Sequence, residues 1–285
     1  MPGTLYVVAT PIGNLEDVTL RALRILREVS VIAAEDTRRT ARILQHYSIS
    51  TRTTSLHEHN ERSKAPAIIH KLTAGESVAL VSDAGTPVVS DPGAALVAAA
   101  HAAGIRVEPI PGPSALIAAV SACGFPEREF TFLGFPPPRS KARKDLFLGL
   151  VHENRTLVFY EAPHRIRSCL RDMLDVFGDR DLLIARELTK AHESLVVRPI
   201  SAQLTDSLEE RGEFTLVLRG AARRVGGPIT AVRAVEPRQL AHEFGELTNS
   251  SALSRREALK RLAERHQIPS REVYALLEKA KNLAD

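Results

Sequence analysis

Short apolar runs alternate with amphipathic helical patterns over the first 120 residues, and this alternation restricts the fold more than any composition figure does. Residues 4–10, TLYVVAT, are β-like, and PIGNLEDVT after them carries the Pro, Gly, Asn and Asp of a tight exit turn. Val18, Ala22, Ile25 and Val29 then recur at i, i+4, i+7 and i+11, the spacing of one helix face. The rhythm repeats: a β run at 29–34, helices at 37–46 and 65–72, a β run at 77–82, a helix at about 92–103, a β run at 105–110, and a helix from the PGPSA turn to Cys123. Strand and helix in alternation predict a parallel sheet covered on both faces. Every loop that leaves a strand's carboxyl end then collects along one edge, where open α/β sheets bind ligands.

The pattern changes after Gly124. A β run at 130–133 precedes GFPPPRSKARK, whose three consecutive prolines predict an exposed, stiff connector carrying Arg139, Lys141, Arg143 and Lys144. A second α/β unit follows: strand 155–160, helix 165–177, strands 181–187 and 193–197, a short helix from Ser201, and strand 214–218. Two strands with little between them pair antiparallel, so this sheet is expected to be mixed. Residues 219–232 read as a Gly-rich linker, and helical patterns at 238–247, 254–265 and 270–283 complete the chain, with Ser254 and Glu257 spaced as a capping box. The expected division is an α/β domain at 1–122, a second at 123–222 and a helical segment at 233–285.

With 285 residues, 44% of them hydrophobic, the chain has material for more than one core. Cys123 and Cys169 fit no ligand spacing and read as core thiols in a reducing compartment. The first residues lack the order of a signal peptide, and no apolar run approaches the about 20 residues of a membrane span; a cytoplasmic protein without membrane contact is expected. Residues 219–285 hold 13 Lys+Arg against 8 Asp+Glu, leaving 25 against 26 for residues 1–218, so the basic excess lies at the carboxyl end. That asymmetry suits a nucleic-acid contact, or a solvated charged helix face.

Motif absences narrow the chemistry. No GxGxxG follows a strand, no GxxxxGK[ST] phosphate loop occurs, and no GxSxG elbow supports a hydrolase. His57-Glu58-His59 is not HExxH, and no metal site is expected. What remains is a set of turns rich in small residues: 11–15, 81–93 (VSDAGTPVVSDPG), 111–115 and EAPHR at 161–165. Their backbone groups are open to a ligand.

In this order, PIGNLEDVTLRA, AAEDTRRT, VSDAGTPVVSDPG, PIPGPSA, FYEAPHRI and GEFTLVL resemble the ribosomal RNA small-subunit methyltransferase I family, a branch of the tetrapyrrole methylase superfamily. The resemblance covers residues 4 to about 220. It implies two α/β domains of tetrapyrrole-methylase type with S-adenosylmethionine in the cleft between them, a small C-terminal helical segment, and a homodimer. It further implies methylation of the ribose 2′-oxygen of a cytidine in the decoding centre of 16S ribosomal RNA, within the small subunit. In sister enzymes acting on tetrapyrroles the loop equivalent to Gly85-Thr86-Pro87 reads Gly-Asp-Pro; threonine here agrees with the RNA-modifying branch. The competing readings are a tetrapyrrole methyltransferase and a non-catalytic RNA-binding protein of the same fold.

Methyl transfer from a sulfonium is an in-line displacement limited mainly by positioning. Pro11, Pro87, Val89, Ala115 and Phe214 would supply apolar cofactor walls, Ser114 and Thr215 polar contacts, with Asp83, Gly85, Thr86 and Tyr160 completing the set. A ribose hydroxyl needs a proton acceptor; the candidates are Glu35, Asp36, Asp83, Glu161 and His164. Glu161 or His164 is assigned that role, with Arg38 and Arg165 on phosphates; a salt bridge from Glu161 to Arg165 or Arg38 is the structural alternative. Arg38, Arg39, Arg42, the 139–144 connector and the C-terminal helices are the expected RNA contacts.

Overall fold

The computed structural model describes residues 1–126, 128–205, 208–221, 237–250 and 255–266, together with 273, 276 and 277. Met1–Ala222 form one compact unit and Arg223–Asp285 a second.

The first unit holds two five-stranded sheets. The first contains β1 (Thr4–Val8), β2 (Val31–Ala34), β3 (Thr53–Ser55), β4 (Val78–Val81) and β5 (Arg106–Ile110), in the order β3-β2-β4-β1-β5. All its pairings are parallel. The five helices that alternate with or follow these strands are α1 (Leu20–Glu28), α2 (Thr37–His46), α3 (Glu61–Thr73), α4 (Ala94–Ala102) and α5 (Ala115–Ala122). Their starts are fixed locally: Thr19, Asp36 and Ser114 each accept a backbone N–H of the first turn of α1, α2 and α5. β4 is buried at every position, as a central parallel strand must be. β3, a three-residue edge strand rich in Thr and Ser, lacks the apolar signal that betrays its neighbours.

The second sheet contains β6 (Phe130–Phe132), β7 (Thr156–Glu161), β8 (Asp181–Arg186), β9 (Ser194–Pro199) and β10 (Phe214–Leu218), in the order β6-β7-β10-β8-β9. β6 pairs parallel with β7, and the other pairings are antiparallel, including β8 with β9. α6 (Ser140–Leu148), α7 (Ile166–Phe177) and α8 (Ile200–Thr205) belong to this half. One face of the sheet buries Phe147, Phe159, Met173 and Leu216. The other buries Val158, Leu183 and Val217 against Leu116 and Ala119 of α5. The last helix of the first half thus covers a sheet of the second, which explains why residues on either side of the chain's midpoint form one unit. A second tie lies at Gly13: a Cβ there would come within 2.9 Å of the Leu188 carbonyl oxygen, and the Asn14 N–H donates to Thr189 Oγ1 at 3.0 Å.

The expected connector needs correction. Only the prolines behave as a connector; residues from Ser140 on are α6. Arg143 is 1% exposed, its Nε donating to Asp172 Oδ2 at 2.8 Å, and Lys144 pairs with Asp175 at 2.6 Å. Alternation of Arg143 and Phe147 at i, i+4 places both on the buried face of α6, so Arg143 is not an RNA contact.

In the second unit, α9 (Pro237–Ser250) and α10 (Arg255–His266) bury Leu240 and Leu262 together with Val273 and Leu277. The rest of the expected third helix, Ser254 of the expected capping box, and residues 222–232 of the expected linker lie outside the described residues.

Candidate active site

The parallel order of the first sheet brings the loops after β1, β2, β4 and β5 to one edge. In the second sheet Phe214 pairs with Glu161 and Thr215 with Tyr160, so the start of β10 lies beside the end of β7 on the edge that faces them. Between these loops is a cavity of about 410 Å³, within the range of small-ligand sites.

The loops are joined to one another by hydrogen bonds. Thr10 and Gly85 exchange both backbone bonds, at 2.8 and 3.0 Å, and Thr86 Oγ1 donates to the Pro113 carbonyl at 3.3 Å. Gly85 has φ +79°, which a glycine adopts without steric cost. Val88 and Ser90, at φ +75° and +65°, are held in the left-handed region without that freedom, a strain of about 1–3 kcal/mol each that surrounding contacts must offset. Val88 packs on the core between the first sheet and α3 and α4.

Eleven of the expected cofactor and proton-acceptor residues share the cavity wall: Glu35, Asp83, Gly85, Thr86, Val89, Ser114, Ala115, Tyr160, Glu161, Phe214 and Thr215. Pro11 and Pro87 are buried and stand off the wall. Asp36 is off it too: its carboxylate caps α2, accepting the Arg38 N–H at 2.8 Å, and this bond holds it below the usual carboxylate range. Arg38, with a side chain 90% exposed, pairs with that same Asp36. His164 is exposed in the 3-10 turn Pro163–Arg165. Glu161 is fully buried at its side chain and ion-pairs through Oε1 with Arg165 at 2.6 Å, while Oε1 also accepts the Ala162 N–H at 2.7 Å. The Glu161–Arg165 bridge is therefore present, and it pins the EAPHR turn to the end of β7. Cys169 lies in the core beneath; burial and then the Glu161 charge push its thiol up, so it stays protonated and inert.

The sequence reading passed over Asp91, Phe135 and Glu213 on the wall, and placed Arg39 only on RNA. Asp91 is pushed up to about 6, first by burial and then by the charges of Glu35 and Asp83, against a hydrogen bond from Ser82. Glu35 is likewise raised by burial. A signal for Asp91 exists, since it lies within the 81–93 turn already singled out, and Glu35 is already among the expected proton acceptors. Three carboxylates of one cluster, Glu35, Asp83 and Asp91, thus face the cavity with one guanidinium, Arg39, which pairs with Asp83 at 3.3 Å. Together with apolar Ile12, Ala84, Val89, Ala115 and Phe214, this lining suits a cationic organic ligand and repels a bare phosphate. Among the described residues, no group of three or more His, Cys, Asp or Glu could hold a metal ion.

Residues 4–203 match the family described as Tetrapyrrole (Corrin/Porphyrin) Methylases. Among curated proteins, the ribosomal RNA small subunit methyltransferase I of Xylella fastidiosa is 52% identical over 239 residues, 82% of this chain and 88% of that one. The proteins of the same name from Vibrio cholerae and Synechocystis are 51% identical over 76% of this chain and 77% of that one, and 43% identical over 96% and 97%. Among solved structures, the methyltransferase CobJ shares the fold with a TM-score of 0.60 at 22% identity, covering 79% of this chain and 97% of that one. A uroporphyrin III C-methyltransferase from Thermus thermophilus does so with 0.58 at 19%, covering 76% and 97%. Two sheets with their loops turned onto one cavity, the family match over residues 4–203, and 43–52% of aligned positions shared with these curated relatives over most of the chain make the protein a member of the tetrapyrrole methylase family, in its ribosomal RNA small subunit methyltransferase I branch.

Proposed function

We propose that the protein methylates the ribose 2′-oxygen of a cytidine in the decoding centre of 16S ribosomal RNA, within the small ribosomal subunit. Methylation of small-subunit ribosomal RNA with S-adenosylmethionine is the coarser part of this reading, and it follows from membership of the branch; the nucleotide and the oxygen are the finer part. The observation that carries the reading is the cavity itself, whose wall sets apolar Ile12, Ala84, Val89, Ala115 and Phe214 beside the carboxylates of Glu35, Asp83 and Asp91. S-adenosylmethionine would supply an electrophilic methyl group on a cationic sulfur. The chain's residues would hold it: Ser114 and Ala115 at the start of α5, the Asp83–Val89 loop, and Tyr160, Phe214 and Thr215 from the second sheet.

Glu161 and His164 are the proposed acceptors for the hydroxyl proton. With Oε1 engaged by Arg165 and Ala162, a proton on Glu161 would go to Oε2. His164, three residues on and exposed, reaches a substrate entering from solvent. Arg38 is proposed to meet phosphate. The same reading takes residues 1–122 and 123–222 as the domains on either side of the cofactor, residues 233–285 as a helical accessory segment, and a cytoplasmic homodimer as the acting form. In support of the location, no helix among the described residues is long and apolar enough to cross a membrane.

The test is transfer of label from S-adenosylmethionine to small subunits isolated from a strain lacking this activity, with the product mapped by mass spectrometry of nuclease digests. One modified cytidine carrying a ribose methyl is expected. Label on a base, or on a tetrapyrrole precursor offered in parallel instead of on the RNA, overturns the reading.

A further inference from the structure

One aromatic residue on the cavity wall, Phe135, is largely exposed. β6 ends at Phe132, but its ladder continues: the Leu133 N–H donates to the Val158 carbonyl and the Tyr160 N–H to the Gly134 carbonyl, both at 2.9 Å. Gly134, at φ +64°, then turns the chain out of the sheet. Phe135 is thereby delivered to the cavity wall with 55% of its surface exposed, whereas Phe214 on the same wall is 2% exposed.

The ring is exposed yet held. It packs on Tyr160, with centroids 5.6 Å apart and planes at 57°, and Tyr160 is braced by Phe132 at 4.9 Å. Pro136, Pro137 and Pro138 stiffen the chain after it. Gly134 lies against the opposite lip, since a Cβ there would be 3.1 Å from Ser90 Oγ. Beside Ser90 is Val89, also on the cavity wall and 38% exposed. A preset flat apolar surface of this kind loses little side-chain freedom on binding, which is the property of a stacking platform.

Charge decides what stacks there. Four and six residues beyond Phe135, Arg139 and Lys141 are exposed at the start of α6, while the cavity behind the ring carries the carboxylates of Glu35, Asp83 and Asp91. Cations outside and anions inside match a ligand whose aromatic part enters and whose phosphates remain on the surface. That is a nucleotide within a strand, and neither a lipid nor an acidic peptide has this order of parts. Resting on the reaction proposed above, we propose that Phe135 is the platform on which the target nucleotide's base stacks, with Arg139 and Lys141 on the neighbouring phosphates.

The experiment compares wild type with Phe135→Ala, Phe135→Leu and Phe135→Tyr, measuring kcat/KM for methylation of small subunits and, separately, the Kd for S-adenosylmethionine by calorimetry. Base stacking is worth about 1–3 kcal/mol on alanine substitution, so Phe135→Ala should lose about 5- to 150-fold in kcat/KM with cofactor Kd within about twofold. Leucine keeps the apolar bulk and removes the ring face, and should lose nearly as much; tyrosine should retain activity. Full activity in Phe135→Leu overturns the proposal, as does a loss of cofactor affinity equal to the loss of activity, which would make the ring a cofactor wall. A wild-type protein inactive on small subunits would instead overturn the reaction on which the proposal rests.

Discussion

Glu35 and Asp83 clasp each other's loops: the Asp83 N–H donates to Glu35 Oε2 at 3.2 Å, and the N–H of Asp36, next to Glu35, donates to Asp83 Oδ1 at 2.9 Å. The two bonds lock the exits of β2 and β4, neighbours in the sheet, at the cavity wall. Asp83→Ala removes the acceptor for the Asp36 N–H and the partner of Arg39. A loss of about 1–3 kcal/mol of stability is expected, measured by urea denaturation, together with weaker cofactor binding. Asp83→Asn keeps an acceptor and should keep most of the stability while still weakening cofactor binding. Equal stability of Asp83→Ala and wild type would show that the clasp contributes nothing.

Asp91 sets a pH dependence. Its folded value is raised from 3.8 to about 6, so the native state holds a proton that the unfolded chain has released. That contribution is fully present below about pH 4 and is lost as pH rises through about 6. Asp91→Asn should therefore gain on wild type in Tm between pH 4 and 7. A cationic cofactor favours the ionised carboxylate, so S-adenosylmethionine should bind more tightly as pH rises from 5 to 7, and Glu35, also raised, pulls the same way. S-adenosylhomocysteine, without the sulfonium charge, should show a flatter profile. Parallel profiles for the two ligands would remove Asp91 and Glu35 from the cation's surroundings.

The βα rhythm, the mixed second sheet and the loops at one edge were legible because buried strands and helix faces impose periodicities that a sequence displays directly. The cavity wall was legible for loops with glycine and proline, as at Gly85 and Thr86. It was not legible where the signal is tertiary. Asp91 matters through burial beside Glu35 and Asp83, which lie far from it in the chain or across a turn. Phe135 reads as part of the exposed GFPPPRSKARK connector, and only the left-handed Gly134 and the packing on Tyr160 place it on the cavity wall. Asp36 looked like an active-site acid, but the cap of α2 competes for the same carboxylate, and pairing alone did not reveal which side would win. Arg143 shows the reverse error, a basic residue in a basic run that belongs to the core.

Glu161 and Arg165 form an ion pair in which the carboxylate side chain is wholly buried. Arg165→Ala leaves that charge uncompensated and should cost about 3–5 kcal/mol. Glu161→Gln keeps the shape and separates structure from chemistry. If Glu161 accepts the substrate proton, the Gln variant should bind cofactor normally and lose single-turnover methylation, with His164→Ala as the companion test. Full single-turnover methylation by both variants would reject the assignment of either residue as proton acceptor and leave Glu161 as the anchor of its turn.

Arg143 and Lys141 are two residues apart and should behave oppositely. Arg143 Nε donates to Asp172 Oδ2 at 2.8 Å, and Ser140 Oγ donates to Asp172 Oδ1 at 2.9 Å. The aspartate is therefore satisfied only while α6 is packed on α7. Arg143→Ala should cost about 3–5 kcal/mol, because it strips the buried carboxylate of its buried guanidinium and leaves it only the Lys144 ammonium, 3.5 Å away; Arg143→Met with Asp172→Leu should cost much less. Lys141, exposed on the same helix, has no such burial. Lys141→Ala should leave the urea midpoint unchanged and reduce the slope of log affinity for small subunits against log salt by about one phosphate contact. A reduced salt slope for Arg143→Ala at unchanged stability would place that guanidinium on the RNA after all, and would mean that α6 turns its other face to α7 in the complex.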